Sequence, residues 1–251
     1  MATPHWDTIE PPPLALFLLE QSRAALELAD VLARRRVRSV SPRGDGHGVL
    51  ILPGLLAGDL STAPLRRFLR GLGYDARGWG AGINLGPTAS VRERLRARLQ
   101  GLREAHGRPV SLVGWSLGGI YARELARAHP EDVRLVITMG TPFRDVSATH
   151  AARLVPIRPG GRPLRDAHEL RAWLRTPLPV PSTSIYSRSD GIVAWRSCLE
   201  EEGPRRESVE VACSHTGMGF HPNVLAVIAD RLAQPADGWQ PYEPRRADPG
   251  R

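Results

Sequence analysis

The segment Gly114-Trp115-Ser116-Leu117-Gly118-Gly119 follows the apolar run Val110-Ser111-Leu112-Val113 and leads into Ile120-Tyr121-Ala122-Arg123-Glu124-Leu125, which suits a helix. It is a G-x-S-x-G motif in a strand, sharp turn, helix setting. Such a turn strains the backbone at the serine, and Gly114 and Gly118 leave out side chains that would collide around it. The Ser116 hydroxyl is thereby lifted above the end of the strand, placed to attack an electrophilic carbonyl. Without the flanking strand and helix the same residues would read only as a Gly-rich turn with an exposed serine.

A serine hydroxyl attacks poorly unless a base takes its proton, and an acidic residue should hold that base in the right tautomer. Among the eight histidines, His5, His106, His129, His150 and His168 fall at the N-terminus, at helix ends or in an irregular stretch, where a solvated side chain is expected. His47 precedes a strand, which is the wrong edge of a sheet. His215 lies in Ser214-His215-Thr216-Gly217-Met218, directly after the strand-like Ser208-Val209-Glu210-Val211-Ala212-Cys213, and is the expected base; His221 is its rival. For the acid, Asp190 stands in a turn after the strand 182–186, 25 residues before His215; Asp145 is the alternative and Asp166 a weaker one. Acyl chemistry also needs N–H groups aimed where charge develops on the carbonyl oxygen, and losing one raises the barrier by about 2.7–4 kcal/mol. Leu117 N–H at the helix start and Leu55 N–H after Pro53-Gly54 are the expected pair, with Leu56 as the fallback.

These residues sit at the ends of short apolar strands that alternate with helical stretches: 48–52 then 60–72, 74–78 then 90–106, 109–114 then 116–129, followed by 133–139, 182–186, 208–213 and a last helix over 222–233. Near-continuous apolar runs in the middle strands (Val110, Leu112, Val113; Val133, Leu135, Val136, Ile137) predict an α/β fold, a mostly parallel sheet with helices on both faces. Right-handed crossovers then bring the C-terminal ends of the strands to one edge, where ligands bind. The last strand alternates Val209, Val211 and Cys213 with Ser208, Glu210 and Ala212, as an edge strand would. Between 143 and 181 prolines break the alternation around one helical stretch, 166–174, which predicts a small lid. Residues 14–33 lack Gly and Pro, and Glu20, Arg23, Glu27, Asp30 and Arg34 form one polar stripe on an otherwise largely apolar helix. The expected organisation is an amphipathic helical segment over 1–40, packed on the body or anchoring it, a domain over 41–235 with the lid at about 143–181, and a flexible tail over 236–251.

At these residues the chain resembles the α/β-hydrolase superfamily, and within it small single-domain bacterial serine esterases and lipases. The resemblance covers about 48–235 and rests on Leu52-Pro53-Gly54, Gly114-Trp115-Ser116-Leu117-Gly118-Gly119, Ser189-Asp190-Gly191-Ile192-Val193 and Ser214-His215-Thr216-Gly217-Met218, in the order Ser, Asp, His. Gly78-Trp79 and Asn84-Leu85-Gly86-Pro87-Thr88 are similar to the loop such proteins carry after the following strand, whereas the oxyanion loop reads Pro-Gly where many relatives have His-Gly. The resemblance implies an α/β-hydrolase fold and hydrolysis of carboxylic esters through an acyl-enzyme. Ser116 would be the nucleophile, His215 the base and then the acid, Asp190 its orienting partner, and Leu55 and Leu117 the oxyanion hole, with no cofactor and no metal. Activity should fall as pH drops below about 6.5. An acyltransferase or thioesterase on the same triad is the nearest alternative, and a non-catalytic binding protein on this fold a further one. The lid and the apolar helix favour a small-molecule or lipid-like ester substrate.

A chain of 251 residues suffices for one sizeable core. Hydrophobic residues at 41% and charged residues at 24% exclude a disordered or collagen-like chain. The formal charge of +8 would ordinarily raise nucleic acid as a partner, but all 34 basic residues are Arg and are spread along the chain. No helix carries a one-sided Arg stripe interleaved with aromatics, so no nucleic acid is expected. Peripheral contact with an anionic membrane is an expectation for the N-terminal helix and Arg34, Arg35, Arg36 and Arg38 at its end. The oligomeric state is left open. Cys198 and Cys213 form neither a disulfide framework nor a zinc pattern and are expected as free thiols. The start has no basic n-region and its apolar run stops at Glu20, so neither a signal peptide nor a spanning helix is expected, and a cytoplasmic location is.

Overall fold

The computed structural model describes residues 9–34, 41–150, 167–235 and 237–244. Among them six strands form one sheet: β1 (Gly48–Leu52), β2 (Asp75–Gly78), β3 (Val110–Trp115), β4 (Val133–Met139), β5 (Ser182–Tyr186) and β6 (Arg206–Glu210). All neighbours are parallel, in the order β2-β1-β3-β4-β5-β6. The helices are α1 (Leu14–Arg34), α2 (Ala63–Leu72), α3 (Ala89–His106), α4 (Leu117–Ala128), α5 (Ala167–Arg175) and α6 (Pro222–Ala233).

Side-chain alternation along the strands creates two layers. From β1, Val49 and Ile51 join Leu65 and Leu69 of α2 and Val224 and Ile228 of α6 on one face. Leu50 and Leu52 join Leu95 and Leu99 of α3 and Ile120 of α4 on the other. Every residue of β1, β3 and β5 is buried in consequence, and each Leu, Ile or Val so placed contributes about 1.5–3 kcal/mol over an exposed one. β1 has β2 on one side and β3 on the other, so the crossovers diverge there and open a crevice beyond the strand ends.

Several boundaries differ from expectation for identifiable reasons. β6 ends at Glu210, not at residue 213, because its partner β5 ends at Tyr186; Val211 N–H makes a last bond to the Tyr186 carbonyl (2.8 Å). Tyr74 belongs to the cap of α2, its N–H donating to the Leu69 carbonyl (3.1 Å) after Gly73 turns left-handed at φ 105°. The stretch expected to be a flexible tail starts ordered, with Tyr242 N–H donating to Glu207 (2.7 Å) and its ring packed against the α2–α6 layer. Residues 151–166 of the expected lid lie outside the described residues, while α5 at its end packs beside α4 through Leu174. No helix among the described residues is long and apolar enough to cross a membrane. Cys198 and Cys213 are both buried free thiols, and burial first, with the nearby carboxylates, raises their pKa values above the ordinary one.

Candidate active site

β3 turns directly into α4, and Ser116 occupies the turn with φ 54° and ψ −122°. A positive φ at a residue with a Cβ stores of order 1–3 kcal/mol of strain, and here the surroundings impose it. Ser116 N–H donates to the Met139 carbonyl (2.8 Å), and the Thr141 hydroxyl donates to the Ser116 carbonyl (3.0 Å). A Cβ at Gly114 would collide with Gly119, and one at Gly118 with the Leu52 carbonyl. Gly54, after β1, lies so near that a Cβ there would stand 3.2 Å from Ser116 Cβ. Ser116 is partly exposed, and its hydroxyl makes no hydrogen bond to a described residue.

β5 and β6 end side by side and release two loops at the same edge. His215 Nδ1 lies 2.7 Å from Asp190 Oδ2. The other Asp190 oxygen accepts from Ile192 and Val193 N–H, both at 2.8 Å, which fixes the carboxylate. With Nδ1 held, Nε2 is the nitrogen available to accept a proton. Trp115 Nε1 donates to the His215 carbonyl (3.2 Å), tying the base loop to the residue before Ser116. Gly140, at φ 53° after β4, lets the pair approach: a Cβ there would be 2.8 Å from His215 Nδ1 and 3.1 Å from Asp190 Oδ2. Burial favours the neutral imidazole, but the Asp190 charge and hydrogen bond, with the Glu20 charge, outweigh it and raise the His215 pKa above its ordinary value.

The rivals are engaged elsewhere. His221 caps α6, its Nδ1 accepting from Asn223 N–H (3.3 Å). Asp145 accepts from the N–H (3.0 Å) and hydroxyl (2.6 Å) of Ser147, and Asp166 lies outside the described residues. Leu55 and Leu117 N–H have no acceptor among the described residues, whereas Leu56 N–H donates to the Asn84 carbonyl (2.8 Å), which removes it as the fallback. Asn84 also braces this loop from within, Nδ2 donating to the Pro53 carbonyl (3.0 Å) and Oδ1 accepting from Tyr121 (3.1 Å) and Gly86 N–H (3.1 Å).

No family model and no curated protein matches the sequence. Solved structures do match. The mature form of a Bacillus licheniformis lipase superposes with a TM-score of 0.54 at 16% identity, over 78% of this chain and 95% of that one. Aspergillus fumigatus lipase B gives 0.57 at 18%, over 81% of this chain and 55% of its own. A pyrethroid hydrolase gives 0.54 at 19%, over 76% and 99%. The chain has the α/β-hydrolase fold.

On this α/β-hydrolase fold Ser116, Asp190 and His215 follow strands that end at one edge. The same residue types meet again at the opposite edge, where His47 Nδ1 is 2.5 Å from Asp45 and Nε2 is 2.8 Å from Ser111 Oγ. Ser111 is fully buried within strand β3, beside a register shift against β4, so no substrate reaches it. The one grouping with metal-ligand spacing among the described residues, His129, Glu131 and Asp132, precedes β4 at that far edge, and Asp132 pairs with Arg103 (3.7 Å). Sequence reasoning missed Gly140 and Thr141, signalled only by a glycine at a strand end, and Glu20 and Glu27 of α1, which reach the acid and base loops.

Proposed function

We propose that this chain is a serine hydrolase that cleaves carboxylic esters through an acyl-enzyme. The observation that carries the reading is the His215–Asp190 pair at the same sheet edge as the strained, partly exposed Ser116. Ser116 Oγ attacks the ester carbonyl while His215 Nε2 takes its proton, and the oxyanion is received by Leu55 and Leu117 N–H. Collapse expels the alcohol, which takes that proton from His215 and leaves the acyl group on Ser116. Water then attacks the acyl-enzyme with His215 again as base, releasing the acid and restoring the serine. Asp190 keeps Nδ1 protonated and balances the imidazolium charge.

Esters with an apolar portion are the proposed substrate class. Among the described residues the exposed large apolar side chains are six on α1 together with Leu56, Leu60, Ile83 and Leu85 on the loops after β1 and β2. All flank the edge that carries Ser116, and clustered apolar exposure marks a contact surface. A lipid-like ester at an interface would meet this rim first, and peripheral contact of α1 with a lipid surface belongs to the same proposal. The names of the lipases and the pyrethroid hydrolase with this fold agree with it. Ser116→Ala is expected to lower kcat on p-nitrophenyl esters by about 10⁴-fold or more and to abolish labelling by a fluorophosphonate. Retained turnover or labelling would overturn the reading.

A further inference from the structure

α1 is docked with Glu20, Arg23 and Glu27 of its polar stripe inward and Leu14, Leu18, Leu19, Leu26 and Leu28 outward. Glu20 is only 1% exposed, whereas Leu18 is 70% and Leu26 72% exposed. One Glu20 oxygen accepts from Gly191 N–H (3.0 Å) and the other from Thr216 N–H (2.8 Å). Farther along the same face, Arg23 donates to the Ser189 carbonyl (2.5 Å) and hydroxyl (3.0 Å). Glu27 accepts from Ser214 N–H (2.7 Å) and from its hydroxyl (2.6 Å). Ser189 and Gly191 flank Asp190, and Ser214 and Thr216 flank His215. Each chain neighbour of the acid and of the base is therefore bonded to α1.

The loops are also shaped to receive the helix. A Cβ on Gly191 would collide with the Leu16 carbonyl and lie 2.8 Å from Glu20, and one on Gly217 would collide with the Glu27 carboxylate. Neither glycine has a positive φ, so the backbone itself would accept another residue there. The α1 backbone demands glycine at 191, and a side chain at 217 would enter only by pushing the Glu27 carboxylate and the Ser214 hydroxyl aside.

We propose that Glu20, Arg23 and Glu27 are positioning residues, a strap that holds the acid and base loops in register with Ser116. The inference rests on the ester-hydrolase reading above. An alignment error of about 1 Å lowers a rate by up to about a hundredfold; the direct ties between the two loops include the Asp190–His215 bond and the Ser187 and Ser189 hydroxyls donating to the Cys213 carbonyl (2.6 and 3.2 Å), and the strap adds bonds to the residues on either side of His215 and Asp190. Asp190 and Glu20 are the charges acting on His215; Arg23, Glu27 and the Cys213 thiol also lie at the junction, with the Cys198 thiol near Asp190 and His221 near Glu27 and Asp30.

Glu20→Gln removes the charge and one of the two acceptors while keeping the shape. It is expected to lower kcat by about tenfold or more with KM near that of the wild type. It should also move the acid limb of the pH profile to lower pH, because the imidazole loses an anionic neighbour. In the free protein, NMR titration of His215 should show the same downward shift, and the amides of Gly191 and Thr216 should exchange faster. Wild-type kcat with an unmoved His215 titration would overturn the strap. Gly217→Ala, which displaces Glu27 without removing a carboxylate, supplies a second route should Glu20→Gln fail to fold; an unchanged kcat there likewise overturns it. If the wild type itself neither labels with a fluorophosphonate nor turns over esters, the ester-hydrolase reading fails, and the His215 titration and amide exchange still decide the strap.

Discussion

His47 and His215 each present Nδ1 to an aspartate, yet their pKa values are shifted in opposite directions. Burial lowers the His47 pKa, the Asp45 hydrogen bond pulling the other way and Arg134 adding to the lowering. For His215 the carboxylates win over burial and the pKa is raised. The proposed mechanism needs neutral His215, so the acid limb of kcat/KM should lie above the ordinary value of about 6.5, higher than sequence alone predicts; a midpoint at or below it contradicts this. In urea unfolding, the His215 contribution to stability is full below about 6.5 and is lost as pH rises through its folded value. The His47 contribution is lost as pH falls below about 6.5 towards its lower folded value, so His47→Gln should flatten the acid side of the stability curve alone. At this scale the placement of Ser116, Asp190 and His215 at one sheet edge could be read from their positions after strand ends. Gly140 could not, because its partners come from two loops remote in sequence. The buried Asp45–His47–Ser111 chain shows why type and contact are insufficient: a nucleophile also needs exposure and a strained turn.

The loops after β1 and β2 act as one element. Leu56 N–H donates to the Asn84 carbonyl and Asn84 N–H to the Ala57 carbonyl, both at 2.8 Å, and the Asp59 carboxylate accepts from Trp79 (2.9 Å) and Gly80 N–H (3.1 Å). This double loop holds Leu55, the proposed oxyanion donor, and displays Leu60 and Ile83 outward. Each methylene taken out of water is worth about 0.8 kcal/mol, so replacing both residues by Asp should lower kcat/KM for long-chain esters by about tenfold or more. Short-chain turnover should change much less; an unchanged chain-length profile would remove these residues from the rim. Strands buried on both faces, such as 48–52 and 133–139, could be read to the residue because double-sided burial writes continuous apolar runs. β6 could not, since alternation continues in the sequence past the point where β5 stops offering a partner. For α1, helical spacing identified which residues share a face, and spacing carries no information about which face turns inward.

Across the whole molecule the charge of +8 is partly an internal fastening system. Arg123 is fully buried, paired with Glu200 and stacked 3.8 Å from the Phe143 ring centroid. Arg134 holds the Leu232 (2.9 Å) and Gln234 carbonyls, Arg127 those of Leu174 (3.0 Å) and Thr176, and Arg231 pairs with Glu207 (2.9 Å). The planar guanidinium fork suits such multiple acceptors. Composition could count these arginines but could not locate them, which is why no partner followed from the charge. The contacts of Glu20 run 171 and 196 residues along the chain. Contacts of that separation close large loops and form slowly, so stopped-flow refolding should show ester turnover recovering after the far-ultraviolet signal of helix and sheet; simultaneous recovery would count against it. During synthesis α1 would thus wait undocked until Gly191 and Thr216 had left the ribosome, and turnover could begin only after that.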